Sequence, residues 1–246
     1  MADASPLPSP PDLAGLLRDG PVSLFLDFDG TLVPIAAAPG AIAVPAGIGS
    51  SLADLANRLG GRLAIVSGRA IADLERHCGP LANACAGSHG GEVRLAPGDP
   101  IHSIGAVPAA VLHEVAAFAG NAGLIHEVKP LGATLHWRGR PEWEERAQQF
   151  LGDLADRFAL TLKHGKCVAE IAVPGADKGA AVRTIMAAEP FAGTTPVFIG
   201  DDVTDEDGFA ACTAMGGFGV AVGERPSRGA RYHLADPAAV FAWIGT

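Results

Sequence analysis

The chain has 246 residues, 48% of them hydrophobic and 18% charged, long enough to bury a sizeable core and too apolar for a disordered polymer. Its 18 Lys and Arg stand against 27 Asp and Glu, a net charge of −9, which leaves no general basic surface for nucleic acid or an anionic membrane. No apolar run approaches the ~20 residues of a membrane-spanning helix. Only four of the cations are lysines (Lys129, Lys163, Lys166 and Lys178), and all four fall in one window of the chain.

Residues 1–20 open with MADASPLPSPP, which lacks the basic start and apolar run of a secretion signal. They are expected to form a disordered, Pro-rich tail of a cytoplasmic protein. Residues 22–28 are apolar up to an acid, the pattern of a buried parallel strand whose C-terminal end meets a site. Residues 50–59 carry Leu52, Leu55, Ala56 and Leu59 at helical spacing before Gly60-Gly61. A second buried strand is predicted at 63–66 and a helix near 70–77. This alternation is that of a doubly wound, Rossmann-like α/β sheet. It resumes late in the chain, with a helix near 179–186, a strand at 196–199, an acidic loop, and a short strand at 219–222. The four cysteines show no CxxC spacing and read as buried, reduced thiols.

Between these halves the pattern changes. Helices are predicted over 108–119 and 142–158, each followed by a hairpin: strands 124–128 and 133–138, then 160–163 and 166–173, turning at His164-Gly165. Residues 105–175 are thus expected to form an inserted α+β cap, a four-stranded antiparallel sheet with two helices. Residues 21–104 and 176–246 would make up the core that it interrupts. Closure of the cap over a substrate would exclude water.

Two acidic clusters stand out. Asp27 and Asp29 follow the first buried strand, and Asp201, Asp202, Asp205, Glu206 and Asp207 follow a later one. One Asp-x-Asp-Gly by itself reads equally as a turn or a calcium loop. Parallel strands, however, present their C-terminal ends on one edge, and two carboxylate clusters there imply a hard cation, with Mg²⁺ the best match. On the same edge Ser67 offers a hydroxyl and an N–H near a helix start. Lys178 lies at a helix N-terminus, where the macrodipole disfavours a cation; a salt bridge to Asp177 or another acid is one reading, and a lysine held to neutralise an incoming phosphate and the carboxylates is the better one.

Residues 27–31 (DFDGT), Ser67 after its strand, Lys178, and GDDVTDE at 200–206 resemble, in order, the four motifs of the haloacid dehalogenase-like phosphatases. The resemblance implies Asp27 as nucleophile, forming an aspartyl-phosphate, and Asp29 as general acid and base. It implies Ser67 and Lys178 as the groups holding the transferring phosphoryl oxygens. Mg²⁺ would be coordinated by the carboxylates of Asp27 and Asp201 and the backbone carbonyl of Asp29, with Asp202 and Asp205 holding metal-bound water or orienting Lys178. Gly30, Gly68 and Arg69 are assigned with them to substrate binding.

In the insert, period-two reading puts Glu127 with Lys129, His136 with Arg138, and Lys166 with Glu170 on common strand faces. Any one pair reads equally as an ordinary solvated ion pair. Three together suit a polyhydroxyl ligand. AGSHGGE at 86–92, Glu127-x-Lys129, His136-x-Arg138, Gly165-Lys166-x-x-x-Glu170 and Lys178-Gly179 are similar to the trehalose-6-phosphate phosphatase family, over about residues 22–243. The resemblance implies that Glu127, Lys129, Arg138, Lys166 and Glu170 grip the distal sugar. It also implies an enzyme acting on a small sugar phosphate in the last step of trehalose synthesis; a monomer is expected, although no residue pattern fixes the oligomeric state. Val128, Gly91 and Trp137 depart from the family's usual residues. A phosphatase for another sugar phosphate, such as sucrose phosphate, and an inactive sugar-phosphate sensor are the alternatives. His89, His136 and Glu92 read equally as structural polar residues.

Overall fold

The computed structural model describes residues 7–35, 42–165 and 167–245. In chain order the structure begins with α1 (Leu13–Asp19), β1 (Val22–Leu26), α2 (Ile48–Arg58), β2 (Leu63–Val66), α3 (Ile71–Cys78), β3 (Ala84–Gly87), β4 (Glu92–Arg94) and β5 (His102–Ser103). Next come α4 (Ala109–Ala122), β6 (Ile125–Lys129), β7 (Gly132–His136), α5 (Glu144–Phe158), β8 (Thr161–Gly165) and β9 (Val168–Ala172). The chain ends with α6 (Lys178–Met186), β10 (Thr195–Gly200), α7 (Asp205–Ala214), β11 (Phe218–Val222), β12 (Ala230–Leu234) and α8 (Pro237–Ile244). It divides into two compact units, residues 103–176 and the remainder.

The larger unit is built on an eight-stranded sheet ordered β12-β11-β10-β1-β2-β3-β4-β5. β1 pairs in parallel with β2 on one side and β10 on the other, so the winding reverses about β1. Ligands of open α/β sheets bind at such a reversal, beyond the carboxyl ends of the strands. β1 is buried along its whole length. Val22, Leu24 and Leu26 face a cluster containing Leu52 and Leu55 of α2 and Leu74 of α3, whereas Phe25 faces Val182 and Ile185 of α6 and Phe209 of α7. Helices therefore cover both faces, and the alternation of one strand serves two cores.

The tail is not disordered as far as residue 20, because Leu13–Asp19 is helical. Asp12 accepts from Gly15 N at 2.6 Å as N-cap, Leu13 is buried, and Leu16 and Leu17 pack on the core. Trp243 Nε1 donates to Pro11 O at 2.8 Å and His233 N to Pro8 O at 2.9 Å. The supposed acidic loop is also short, since Asp205, Glu206 and Asp207 form the first turn of α7, where carboxylates complement the helix dipole. Of the cysteines, Cys85 and Cys212 are buried, whereas Cys78 and Cys167 are only half-buried; all four are free thiols.

The smaller unit is a four-stranded antiparallel sheet ordered β6-β7-β9-β8, with α4 and α5 on one face. Ala133, Leu135, Ala169 and Ile171 point into the apolar layer with Val111, Val115, Leu151 and Leu154. The second hairpin turns later than expected: His164 and Gly165 belong to β8, and Gly165 pairs with Val168. No described helix is long and apolar enough to cross a membrane.

Candidate active site

The ends of β1 and β10 are held in register as far as Leu26 opposite Ile199, and Asp27 N donates to Ile199 O at 2.9 Å. Asp27 therefore leaves the sheet beside Gly200 and Asp201. Lys178, the first residue of α6, reaches them from the neighbouring helix. Its Nζ donates to Asp27 Oδ1 at 2.7 Å and to Asp205 Oδ1 at 2.5 Å, and Asp205 Oδ2 accepts from Asp202 N at 2.8 Å. Lys178, Asp27 and Asp205 are nearly inaccessible to solvent, at 2%, 3% and 0%. Asp177 caps α6 through Ala180 N, which fixes the turn that presents the lysine.

One oxygen from each of Asp27, Asp201 and Asp205 lies within 4.8 Å of the others. Three carboxylates against one ammonium leave two formal negative charges in a nearly dry site. The electrostatics follow. Burial, opposed by Lys178, pushes the Asp27 carboxyl up to about 6. Burial and the neighbouring Asp205 push Asp201 to about 6, and burial with Asp27 pushes Asp205 to about 7. For Lys178, burial favours the neutral amine, but the charges of Asp27 and Asp205 outweigh it and raise the pKa above the ordinary value. An all-oxygen cluster short of two positive charges fits a hard divalent cation.

The sign for stability is fixed. Carboxyls raised above their unfolded values keep their protons in the folded state while the unfolded chain has already released them, so folding weakens as pH rises through about 4 to 7. In a chelator the melting temperature is expected to fall between about pH 5 and 8, and added Mg²⁺ should raise it more at the upper end. Calorimetric scans at both pH values check this. A metal-induced gain independent of pH would contradict it.

Gly30 makes room for Asp201. At φ +83° a Cβ would lie 2.1 Å from Asp201 Oδ2, so only glycine lets the carboxylate into the cluster. Thr31 Oγ1 donates to Asp201 Oδ1 at 3.4 Å. Gly68 is adjacent to the His89 ring, where a Cβ would meet Cε1 at 2.6 Å. Glycine at both positions thus serves close approach of another side chain. Ser67 is buried, and its N–H donates to Ala86 O at 2.9 Å rather than serving as an anion donor, which leaves the hydroxyl. Ser67 Oγ accepts from Arg69 N at 3.1 Å.

Asp29 is not in the three-carboxylate cluster. Its carboxylate receives Arg69 Nε at 2.6 Å and Nη2 at 2.8 Å, and Arg69 Nη1 donates to Asp73 at 2.9 Å. Arg69, read as a substrate ligand, is thus engaged by two carboxylates of its own chain. Asp202 is exposed, and its backbone rather than its side chain carries its recorded bonds. Glu92 accepts from Ile71 N at the start of α3 and from Ser88 Oγ, a structural cap for this loop.

Arg225, which follows β11, also reaches this site. Its Nε donates to Asp201 O at 2.8 Å and its Nη2 to Asp202 O at 2.9 Å and Glu206 Oε1 at 2.8 Å. A lone arginine after a short strand carries no motif that would have exposed this.

In the inserted unit, Glu127, Thr134, Glu170 and Lys163 form one cross-strand row on the face away from α4 and α5. Lys129 Nζ lies 2.5 Å from Glu170 Oε2, and Thr134 Oγ1 donates to the same oxygen at 3.1 Å. Burial alone would raise the Glu170 carboxyl, but Lys129, Thr134 and Lys163 hold it below the usual carboxylate range. His136 Nε2 is 3.6 Å from Glu127 Oε2. Arg138 is exposed beyond the end of β7, and Lys166 lies outside the described residues. Lys163, expected from the sequence to have only a surface role, stands directly opposite Glu170.

The trehalose-phosphatase family model matches residues 25–237. A trehalose-6-phosphate phosphatase of Escherichia coli strain K12 is 37% identical over 230 residues, covering 89% of this chain and 84% of that protein. The chain belongs to the trehalose-phosphatase family. It is therefore a phosphatase by family. Among solved structures, trehalose-6-phosphate phosphatase of Aspergillus fumigatus is 27% identical with a TM-score of 0.67, and the match covers 97% of each chain. A haloacid dehalogenase-like hydrolase from Bacteroides thetaiotaomicron is 16% identical with a TM-score of 0.66, over 91% of this chain and 98% of that one, a likeness of fold. The Rossmann-like core with an inserted cap is the architecture of this group.

Proposed function

We propose that the chain hydrolyses trehalose 6-phosphate to trehalose and phosphate through an aspartyl-phosphate on Asp27, with Mg²⁺ bound by Asp27, Asp201 and the Asp29 carbonyl. The observation that carries the chemistry is the buried cluster in which Lys178 bridges Asp27 and Asp205 beside Asp201. An ammonium and a carboxylate nucleophile in one dry site can receive a phosphate dianion that water would otherwise solvate. Asp205 joins the cluster and orients Lys178. When bound, the cation screens the carboxylate charge from the incoming phosphate and draws charge from its oxygens.

An Asp27 oxygen attacks phosphorus, and the bond from phosphorus to the sugar oxygen breaks. Asp29 must first give up a bond to Arg69 and take a proton from solvent; it then gives that proton to the sugar oxygen as the sugar leaves. Asp29 then takes a proton from water as the water oxygen attacks the phosphorus, and the Asp27 acyl-phosphate bond breaks to release phosphate. The Ser67 hydroxyl and Lys178 hold the equatorial oxygens in both steps. Gly30, Gly68 and Arg69 shape the loops around them. Glu127, Lys129, Arg138, Lys166 and Glu170, all in the inserted unit, take the sugar hydroxyls, with carboxylates accepting and cations donating.

Phosphate release from trehalose 6-phosphate, sucrose 6-phosphate and glucose 6-phosphate tests the substrate. The expected preference for the first is about 10²-fold or more in kcat/KM, since glucose 6-phosphate leaves the charged groups placed for a second sugar unpaired, and sucrose 6-phosphate presents that sugar's hydroxyls in other positions. Equal rates on all three would refute this substrate assignment while leaving the phosphatase chemistry in place.

A further inference from the structure

The turn between β10 and α7 carries Asp201, and its backbone is tied at both flanks. Asp202 N is taken by Asp205 Oδ2, while the carbonyls of Asp201 and Asp202 are taken by the Arg225 guanidinium. Arg225 arrives from the end of β11, the strand beside β10. Its fork is aligned by Glu206 Oε1, and Glu206 is itself held by Gly229 N at 2.7 Å and Arg228 N at 3.3 Å. The Asp201 side chain has little freedom to compensate for a shift in this backbone, because its carboxylate occupies the space where Gly30 would carry a Cβ.

We propose that Arg225, aligned by Glu206, is a positioning residue that sets the Asp201 carboxylate for a divalent cation. The proposal rests on reading the Asp27, Asp201 and Asp205 cluster as the metal site of a phosphatase. Two physical effects of Arg225 have opposite signs, which makes the claim sharp. As a positive charge near the cluster it opposes the binding of a second cation, so an electrostatic role alone means that its removal tightens Mg²⁺ binding. As a clamp on two carbonyls it fixes a ligand, so its removal loosens Mg²⁺ binding. A planar fork serves two carbonyls and a carboxylate at once, which the single ammonium of lysine does not reproduce. Outer partners of metal ligands typically contribute about 10- to 100-fold in affinity, and geometry is expected to dominate.

Calorimetric titration of the full chain with Mg²⁺, without substrate, reads the effect directly. R225M and R225K are both expected to bind Mg²⁺ about 10- to 100-fold more weakly than the parent chain. The Mg²⁺ concentration for half-maximal phosphate release should rise by the same factor, with KM for the sugar phosphate at saturating Mg²⁺ unchanged. Free guanidinium added to R225A should restore part of the affinity. Mg²⁺ binding by R225M as tight as in the parent, or tighter, overturns the proposal. If R225M does not fold, E206Q decides: it keeps the guanidinium but removes the charge that aligns it. A weaker affinity supports the clamp, and an unchanged one refutes it. D201N separates the two levels of inference. Loss of Mg²⁺ in D201N with normal affinity in R225M removes the clamp alone, whereas unchanged affinity in D201N removes the metal site and the clamp together.

Discussion

Asp27→Asn is expected to lower phosphate release by about 10⁴-fold or more, the scale seen when a catalytic nucleophile is lost. Asparagine is nearly isosteric, and the position is 3% exposed at the end of a fully buried strand, so the fold should survive. The amide oxygen can still accept from Lys178, but it is a poor nucleophile and removes one of three carboxylates from the cluster. Rapid acid quench separates these two losses. The parent chain should carry protein-bound phosphate during turnover, and D27N should carry none even at Mg²⁺ concentrations that restore metal occupancy. Near-normal turnover by D27N would remove the covalent route through this residue.

Lys178→Met is expected to cost about 3–5 kcal/mol of stability at about pH 8, because it removes the ammonium shared by Asp27 and Asp205 and leaves buried charges uncompensated. Its pH dependence identifies the cause. Asp27, Asp201 and Asp205 are already pushed above the ordinary carboxylate value, and loss of the lysine pushes Asp27 and Asp205 further. At about pH 5 these groups hold their protons in the folded state, so there is less charge to strand, and the loss should be smaller there. Urea unfolding in a chelator at both pH values measures it, and an equal loss at each would assign the effect to packing. Turnover should also fall by about 10²–10³-fold, as when a donor to developing charge is removed.

Where the chemistry concentrates, the sequence was legible. Asp27, Asp201, Asp205 and Lys178 were marked because charge at the end of an apolar strand, or a cation at a helix start, is costly without a partner. The structure brings all four together. Buried strands were equally visible, as largely apolar runs at 22–28, 63–66 and 219–222, where the structure has strands at Val22–Leu26, Leu63–Val66 and Phe218–Val222. The losses have specific causes. Ala84–Gly87 and Glu92–Arg94 are short and rich in small or polar residues, with no alternation to betray a strand. Leu13–Asp19 was hidden by prolines that end just before its N-cap. Arg69 was read as a substrate group because its neighbours are loop residues. Its two carboxylate partners, Asp29 and Asp73, are set by tertiary packing and by one helical turn, respectively. Arg225 acts on backbone carbonyls, and carbonyls leave no mark in a sequence.

The chain returns from the inserted unit at 176/177, one peptide before Lys178. Nevertheless, the recorded anchors of that lysine, Asp27, Asp205 and the Asp177 cap, lie wholly in the larger unit. Under the proposed function, recognition and bond-breaking would thereby be written in separable stretches of one gene. On that proposal, a chimera that exchanges residues 103–176 for the insert of a relative, with Asp177 kept as the joint, is expected to keep the reaction and take its selectivity from the donor, as phosphate release across a panel of sugar phosphates would read. A lineage could change what it dephosphorylates by the same exchange, without passing through an inactive ancestor.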